Sequence, residues 1–233
     1  MLAAPAPRPA LLASVADLTE VELALTGGVD VLDLKDPQAG ALGAWPLPDL
    51  RAAVRLAAGR IPVSATVGDL PPDPPALAAA ARATAATEVD IVKLGFFPGG
   101  DHRALATALQ PVAAEGIRLV AVLMADQEPD LDLAGSLGRA GFWGVMLDTA
   151  DKAAGHLLRH QPVAALARFL AEARAHGLVA GLAGSLRLDD VDLLAPLGPD
   201  YLGFRGALCR GGRGTPLDPG LLSQLRRKLD LQL

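Results

Sequence analysis

The sequence predicts a single (β/α)8 barrel, and three observations lead there. Eight short apolar, β-branched or leucine-rich runs alternate with longer alanine-rich amphipathic stretches, at a spacing of 20–30 residues. The runs are nearly continuous in apolar residues, as in strands covered on both faces of a parallel sheet. The chain has 233 residues, close to the roughly 250 typical of such a barrel.

The elements follow in order. "LLASV" (11–15) is the first strand; Asp17 then caps a helix over 17–26, which stops at Thr26-Gly27-Gly28. "VDVLDLK" (29–35) leads to a helix over 46–58. "IPVSATV" (61–67) leads through a stiff loop of Pro71, Pro72, Pro74 and Pro75 to a helix over 74–87. After "VDIVKLGF" (89–96), Asp101 caps a helix over 101–115 that ends at Gly116. "RLVAVLMA" (118–125) precedes a helix over 130–140, ended by Gly141. "WGVMLDT" (143–149) precedes one over 161–176, ended by Gly177. "LVAGLAGS" (178–185) precedes one over 188–196, capped by Asp189. "YLGFRGA" (201–207) precedes the last, over 216–230. No Pro/Gly/Ser linker divides the chain, so residues 11–233 read as one domain behind a flexible leader, 1–10.

Composition narrows the function. The net charge of −5 lacks the basic footprint of a nucleic-acid binder. No 18-residue apolar run exists to span a bilayer, and the proline-broken start does not read as a signal peptide. A cytoplasmic protein is therefore expected. The one cysteine, Cys209, makes no internal disulfide and reads as a packing residue. His156 and His160 are four apart, but Leu157-Leu158-Arg159 intervenes with no acid nearby, and His102 and His176 lie apart from them, so neither a metal nor another cofactor is expected.

The chemistry is in the lysines. Of 21 basic residues only four are lysine: Lys35, Lys93, Lys152 and Lys228. Lys228 reads as a solvated residue of the last helix. The other three fall at the ends of the second and fourth strands and just past the sixth, on the face that carries barrel active sites. A composition this rich in arginine leaves lysine where arginine cannot serve. Lysine can lose its proton and form an imine with a carbonyl; arginine can do neither. Even-numbered strands share layers of inward side chains, so all three can point into one cavity. Asp33 and Asp148 lie on the same strands. Asp33 is two residues from Lys35 and faces the same side, to orient it and relay protons or simply to form a strand-end ion pair. Crowding of three ammonium groups depresses the pKa of at least one, leaving a neutral nucleophile. The pattern points to Schiff-base chemistry on a small phosphorylated aldehyde or ketone.

"GLAGSL" (181–186) and "GFRGAL" (203–208) end the last two strands, where barrels usually bind phosphate. Gly184, Ser185, Arg205 and Gly206 are the candidates.

With these residues in place, the chain resembles the (5-formylfuran-3-yl)methyl phosphate synthase family, also called 4-(hydroxymethyl)-2-furancarboxaldehyde-phosphate synthase. "GGVDVLDLKDPQAGALGA" (27–44), "PVSATVGD" (62–69), "DIVKLG" (90–95), "MLDTADK" (146–152), "LAGSL" (182–186) and "FRGALC" (204–209) carry the resemblance. It implies a barrel lyase that condenses two molecules of glyceraldehyde 3-phosphate, with loss of phosphate and water, to the furan unit of methanofuran. It places the Schiff-base lysine on Lys35, its aspartate on Asp33, further active-site lysines on Lys93 and Lys152, and an acid on Asp148. The sequence departs from the family at Ser14-Val15, where Ser-Pro is expected, and over 126–138. A class I aldolase on the same barrel and a non-catalytic phosphosugar-binding barrel are the competing readings. The expected partner is a phosphosugar, with no nucleic acid and no membrane; a homo-oligomer is left open.

Overall fold

A computed structural model of the chain describes residues 8–232. Eight parallel strands close in sequence order: β1 (Ala10–Val15), β2 (Val31–Leu34), β3 (Val63–Thr66), β4 (Ile91–Phe96), β5 (Leu119–Met124), β6 (Gly144–Asp148), β7 (Val179–Leu182) and β8 (Tyr201–Phe204). The helices are α1 (Leu18–Thr26), α2 (Leu47–Ala57), α3 (Pro74–Ala85), α4 (His102–Ala108), α5 (Gln110–Ala114), α6 (Ala134–Arg139), α7 (Leu157–His160), α8 (Val163–Ala175), α9 (Asp190–Leu194) and α10 (Pro219–Asp230). The (β/α)8 barrel and all eight expected strands are present.

The differences have local causes. The helix expected over 101–115 is two, α4 and α5, divided at Leu109 before Pro111, which has no N–H to continue the first. Pro74 and Pro75 open α3 instead of extending the loop before it, because proline fits the first helical turn. Asp17 and Asp101 cap as expected, accepting from Glu20 N and from Arg103 N and Ala104 N. Asp189 does not: its backbone is already helical and its side chain makes no cap bond. Asp218 caps α10 instead, accepting from Leu221 N. Lys228 is not simply solvated; it pairs with Asp192 at 2.5 Å. Of the expected leader, residues 1–7 lie outside the described residues. At its end Arg8 pairs with Asp30 (2.9 Å) and Asp230 (3.0 Å), and β1 begins at Ala10.

The larger core lies between sheet and helices, from Leu11, Leu32 and Leu94 to Phe169 and Leu222. A second cluster fills the barrel: Leu12, Ile91, Val120, Met146 and Tyr201 among them. Tyr201 fits because Gly181 faces it; a Cβ at Gly181 would lie 2.1 Å from the ring.

Register sets the layers above this plug. In a barrel of this class each strand slides by about one residue against the ladder per step around the wall. Asp33 pairs with Ser64 and Ser64 with Ile91, so the layer of Asp33 meets β4 two residues further on, at Lys93. From Lys35, one residue beyond β2, the ladder continues through Thr66, Lys93 and Val120 to Gly144. Four residues beyond Gly144 is Asp148.

Candidate active site

The two layers make two ion pairs. Lys93 Nζ lies 2.5 Å from Asp33 Oδ1, and Lys35 Nζ lies 3.1 Å from Asp148 Oδ2. The expected pairing of Asp33 with Lys35 does not form, since neighbours along one strand occupy successive layers. Ser14 and Ser64 flank Asp33 in the ladder, and each donates its hydroxyl to that carboxylate at 2.8 Å. The sequence assigns neither serine a role, since a hydroxyl in an apolar strand carries no signal of its partner; it marks Ser14 only for the Val15 that follows it.

Lys152 arrives from the loop after β6. Asp126 holds that loop by accepting from Ala150 N (2.8 Å) and Asp151 N (2.7 Å). Lys152 Nζ then reaches Asp148 Oδ1 at 2.5 Å and also donates to the Thr149 carbonyl. Thr149 N donates to the same Asp148 oxygen at 2.8 Å. Asp148 thus joins two lysines.

Burial and crowding act on these groups in opposite senses. Burial pushes both carboxyls up, but the neighbouring ammonium charges outweigh it. Lys93 and Lys35, with hydrogen bonds from Lys93 and Ser14, bring Asp33 below its ordinary value. Lys152 and Lys35, with hydrogen bonds from Lys152 and Thr149, hold Asp148 well below the carboxylate range. Burial, assisted by the charge of Lys35, lowers Lys93 and Lys152 despite their carboxylate partners. Two of the three lysines are therefore moved towards the neutral amine.

All five side chains line one cavity of about 490 Å3 at the C-terminal mouth of the barrel, with Gly184, Ser185, Arg205 and Gly206. That volume lies within the roughly 300–1,000 Å3 of small-molecule sites. Asp33 is fully buried and Lys93 is 2 % exposed, whereas Lys35 keeps 7 % of its surface open. The N–H groups of Gly184, Ser185 and Gly206 donate to no acceptor among the described residues. Gly184 (φ +104°) and Ser185 (φ +49°) turn through the left-handed region, and a Cβ at Gly184 would lie 3.0 Å from the Thr149 methyl. Successive free N–H groups in such a turn form an anion cradle.

Arg205 corrects the sequence reading. Its guanidinium faces Glu20 and backbone carbonyls, and none of its donors remains for a ligand. Two other arginines line this mouth: Arg187, after β7, whose side chain makes no hydrogen bond among the described residues, and Arg213, eight residues beyond Arg205 in an irregular loop with no motif to mark it, whose side chain makes one. Among the described residues, no group of three or more His, Cys, Asp or Glu side chains could hold a metal ion, and no helix is long and apolar enough to cross a membrane.

The family model described as 4-HFC-P synthase matches residues 11–226. The chain belongs to the 4-HFC-P synthase family. It is 44 % identical over 218 residues to a Methylorubrum extorquens protein provisionally named (5-formylfuran-3-yl)methyl phosphate synthase, covering 93 % of this chain and 90 % of that one. It is 33 % identical over 230 residues to the (5-formylfuran-3-yl)methyl phosphate synthase of Methanocaldococcus jannaschii, covering 93 % and 97 %. Among solved structures, phosphoribosyl anthranilate isomerase from Thermus thermophilus superposes with a TM-score of 0.68 at 15 % identity, covering 96 % of this chain and 100 % of that one. That likeness is one of fold. The 4-HFC-P synthase family makes this chain a synthase, and all five residues expected from the resemblance meet in one cavity.

The depressed carboxyls of this family member have a consequence for stability. Asp33 and Asp148 bind protons less readily folded than unfolded. The stability they contribute is present above the unfolded value of about 3.9 and is lost as pH falls below it through the folded values. Urea midpoints measured from pH 6 downwards should drop steeply below about pH 4, and Asp148→Asn should flatten that slope. An unchanged slope in Asp148→Asn would contradict the assignment.

Proposed function

We propose that this chain is a lyase that condenses two molecules of glyceraldehyde 3-phosphate to (5-formylfuran-3-yl)methyl phosphate, through a Schiff base on Lys35. The product would serve a methanofuran-type cofactor. The observation that carries the reading is the Lys35–Asp148–Lys152 triad beside the Lys93–Asp33 pair in one cavity, in a chain of this family.

The steps follow from the groups at hand. Lys35 passes a proton to Lys152, which burial moves towards the neutral amine and which Asp148 joins to it, and attacks the carbonyl of the first triose phosphate. Water leaves and an imine forms. The imine draws electrons from the adjacent carbon, whose proton passes to a carboxylate, giving an enamine. Phosphate is then eliminated, with Lys93 and Lys152 to neutralise it and to supply protons. C2 of the second triose phosphate, deprotonated to its enediol, then bonds to C3 of the unsaturated imine left by phosphate loss, which sets the phosphorylated CH2 on a branch and leaves the second aldehyde carbon for the ring. Ring closure and dehydration yield the furan, and hydrolysis of the imine frees Lys35. The N–H cradle of Gly184, Ser185 and Gly206 binds a phosphate throughout.

The test is an ultraviolet assay with glyceraldehyde 3-phosphate as the sole substrate. A furan aldehyde absorbs where trioses do not, so a new band that grows with turnover and one equivalent of released phosphate per product are expected. Consumption without a chromophore would indicate an aldolase. Binding without consumption would indicate a non-catalytic phosphosugar barrel.

A further inference from the structure

Arg205 and Arg213 divide their work in a way that motif and spacing do not suggest. Arg205 Nε donates to Arg213 O (2.8 Å), Nη2 to Thr215 O (2.9 Å) and Nη1 to Ser14 O (3.3 Å), and both terminal nitrogens donate to the Glu20 carboxylate. All five N–H donors are used. Glu20 is equally engaged: it also accepts from Leu217 N (3.1 Å) and Ala16 N (2.7 Å). This buried pair grips the loop after β8 from beneath.

Arg213 is the residue so held. Its side chain is half-buried and lines the cavity. Its one hydrogen bond runs from Nη2 to Gly40 O at 3.0 Å, across to the loop after β2. That loop is anchored in turn, as Asp69 accepts from Ala41 N and Leu42 N at 2.8 and 2.7 Å. No carboxylate lies within 4.0 Å of Arg213 among the described residues. Yet its charge reaches the site, since it helps to lower Lys152. A half-buried guanidinium with most of its donors unused, in a cavity with more cations than carboxylates, calls for an anion. Its planar fork matches two phosphate oxygens, which a lysine cannot do.

We propose that Arg213 clamps the phosphate of a phosphorylated substrate at this mouth, and that Arg205 is a positioning residue that aims Arg213 by holding its backbone. The proposal rests on the reading of the ligand as a triose phosphate and names the residue that grips it.

The experiment uses the intact protein and two probes. Inorganic phosphate is titrated calorimetrically into the wild type, Arg213→Gln and Arg213→Lys, and each is assayed with glyceraldehyde 3-phosphate. Arg213→Gln should weaken phosphate binding and raise KM about 10- to 100-fold, as expected for loss of a charged hydrogen bond, with kcat changed by less than about threefold. Arg213→Lys should recover only part. Arg205→Lys should raise KM in the same way, and adding Arg213→Gln to it should raise KM little further. Equal phosphate affinity in the wild type and Arg213→Gln, or a wild type indifferent to phosphate, overturns the clamp. Fully multiplicative KM effects in the double variant overturn the positioning role. The phosphate titration needs no turnover, so it judges Arg213 even if the triose phosphate proves not to be the substrate.

Discussion

Lys35→Arg is expected to reduce furan formation on the order of 10^4-fold or more, the scale seen when a covalent nucleophile is removed. The substitution keeps a positive charge near Asp148 but removes the amine that forms an imine. The fold should therefore survive, which separates lost chemistry from lost structure. Borohydride reduction in the presence of glyceraldehyde 3-phosphate gives the direct readout. The wild type should gain the mass of one reduced triose adduct on the peptide that carries Lys35. Lys35→Arg should gain none. Lys93→Arg and Lys152→Arg should still be tagged, though more slowly, because their amines serve phosphate and proton movements in this scheme. Lys93 is the informative rival: burial lowers it towards neutrality, but it lies deeper, on Asp33. A tag found on Lys93 in the wild type would move the nucleophile one layer down the barrel.

Glu20→Ala should be the most damaging substitution outside the catalytic cluster. It removes the carboxylate that holds Arg205, and the N–H groups of Ala16 and Leu217 lose their acceptor. Both side chains are more than nine-tenths buried, so a guanidinium is left with an uncompensated charge. Breaking a buried pair from one side costs about 3–5 kcal/mol. For a domain of this size that corresponds to a fall in Tm of roughly 10 °C. Glu20→Gln keeps an acceptor and should cost less. Thermal and urea unfolding check both, and a loss below about 1 kcal/mol would mean that the pair is solvated after all. The same variant should weaken phosphate binding well below its Tm, since the loop that presents Arg213 hangs from this pair.

Much of the site was legible in the residues. Scarce lysines at strand ends marked the cavity mouth, because a chain rich in arginine keeps lysine where arginine cannot stand in for an amine. The glycine-containing stretches after β7 and β8 marked a row of free N–H groups; the backbone turns through the left-handed region only after β7, at Gly184 and Ser185. Arg205 was legible as a charge at that mouth but not as a spent one. Its partner Glu20 comes from the first helix, 185 residues away in sequence. Arg213 was not legible at all: nothing local distinguishes one arginine of an irregular loop from another. Ser14 and Ser64 were hidden for a similar reason, as a hydroxyl gains meaning only from the carboxylate on the next strand.

By itself the sequence determined the eight βα units, the barrel and the three amines at its mouth, because alternation, apolar runs and residue chemistry are local properties of the chain. The tertiary structure alone decided who pairs with whom. Asp33 faces Lys93 and Lys35 faces Asp148 because tilted strands advance by about one residue per step around the wall, and that offset turns neighbours on one strand into members of different layers.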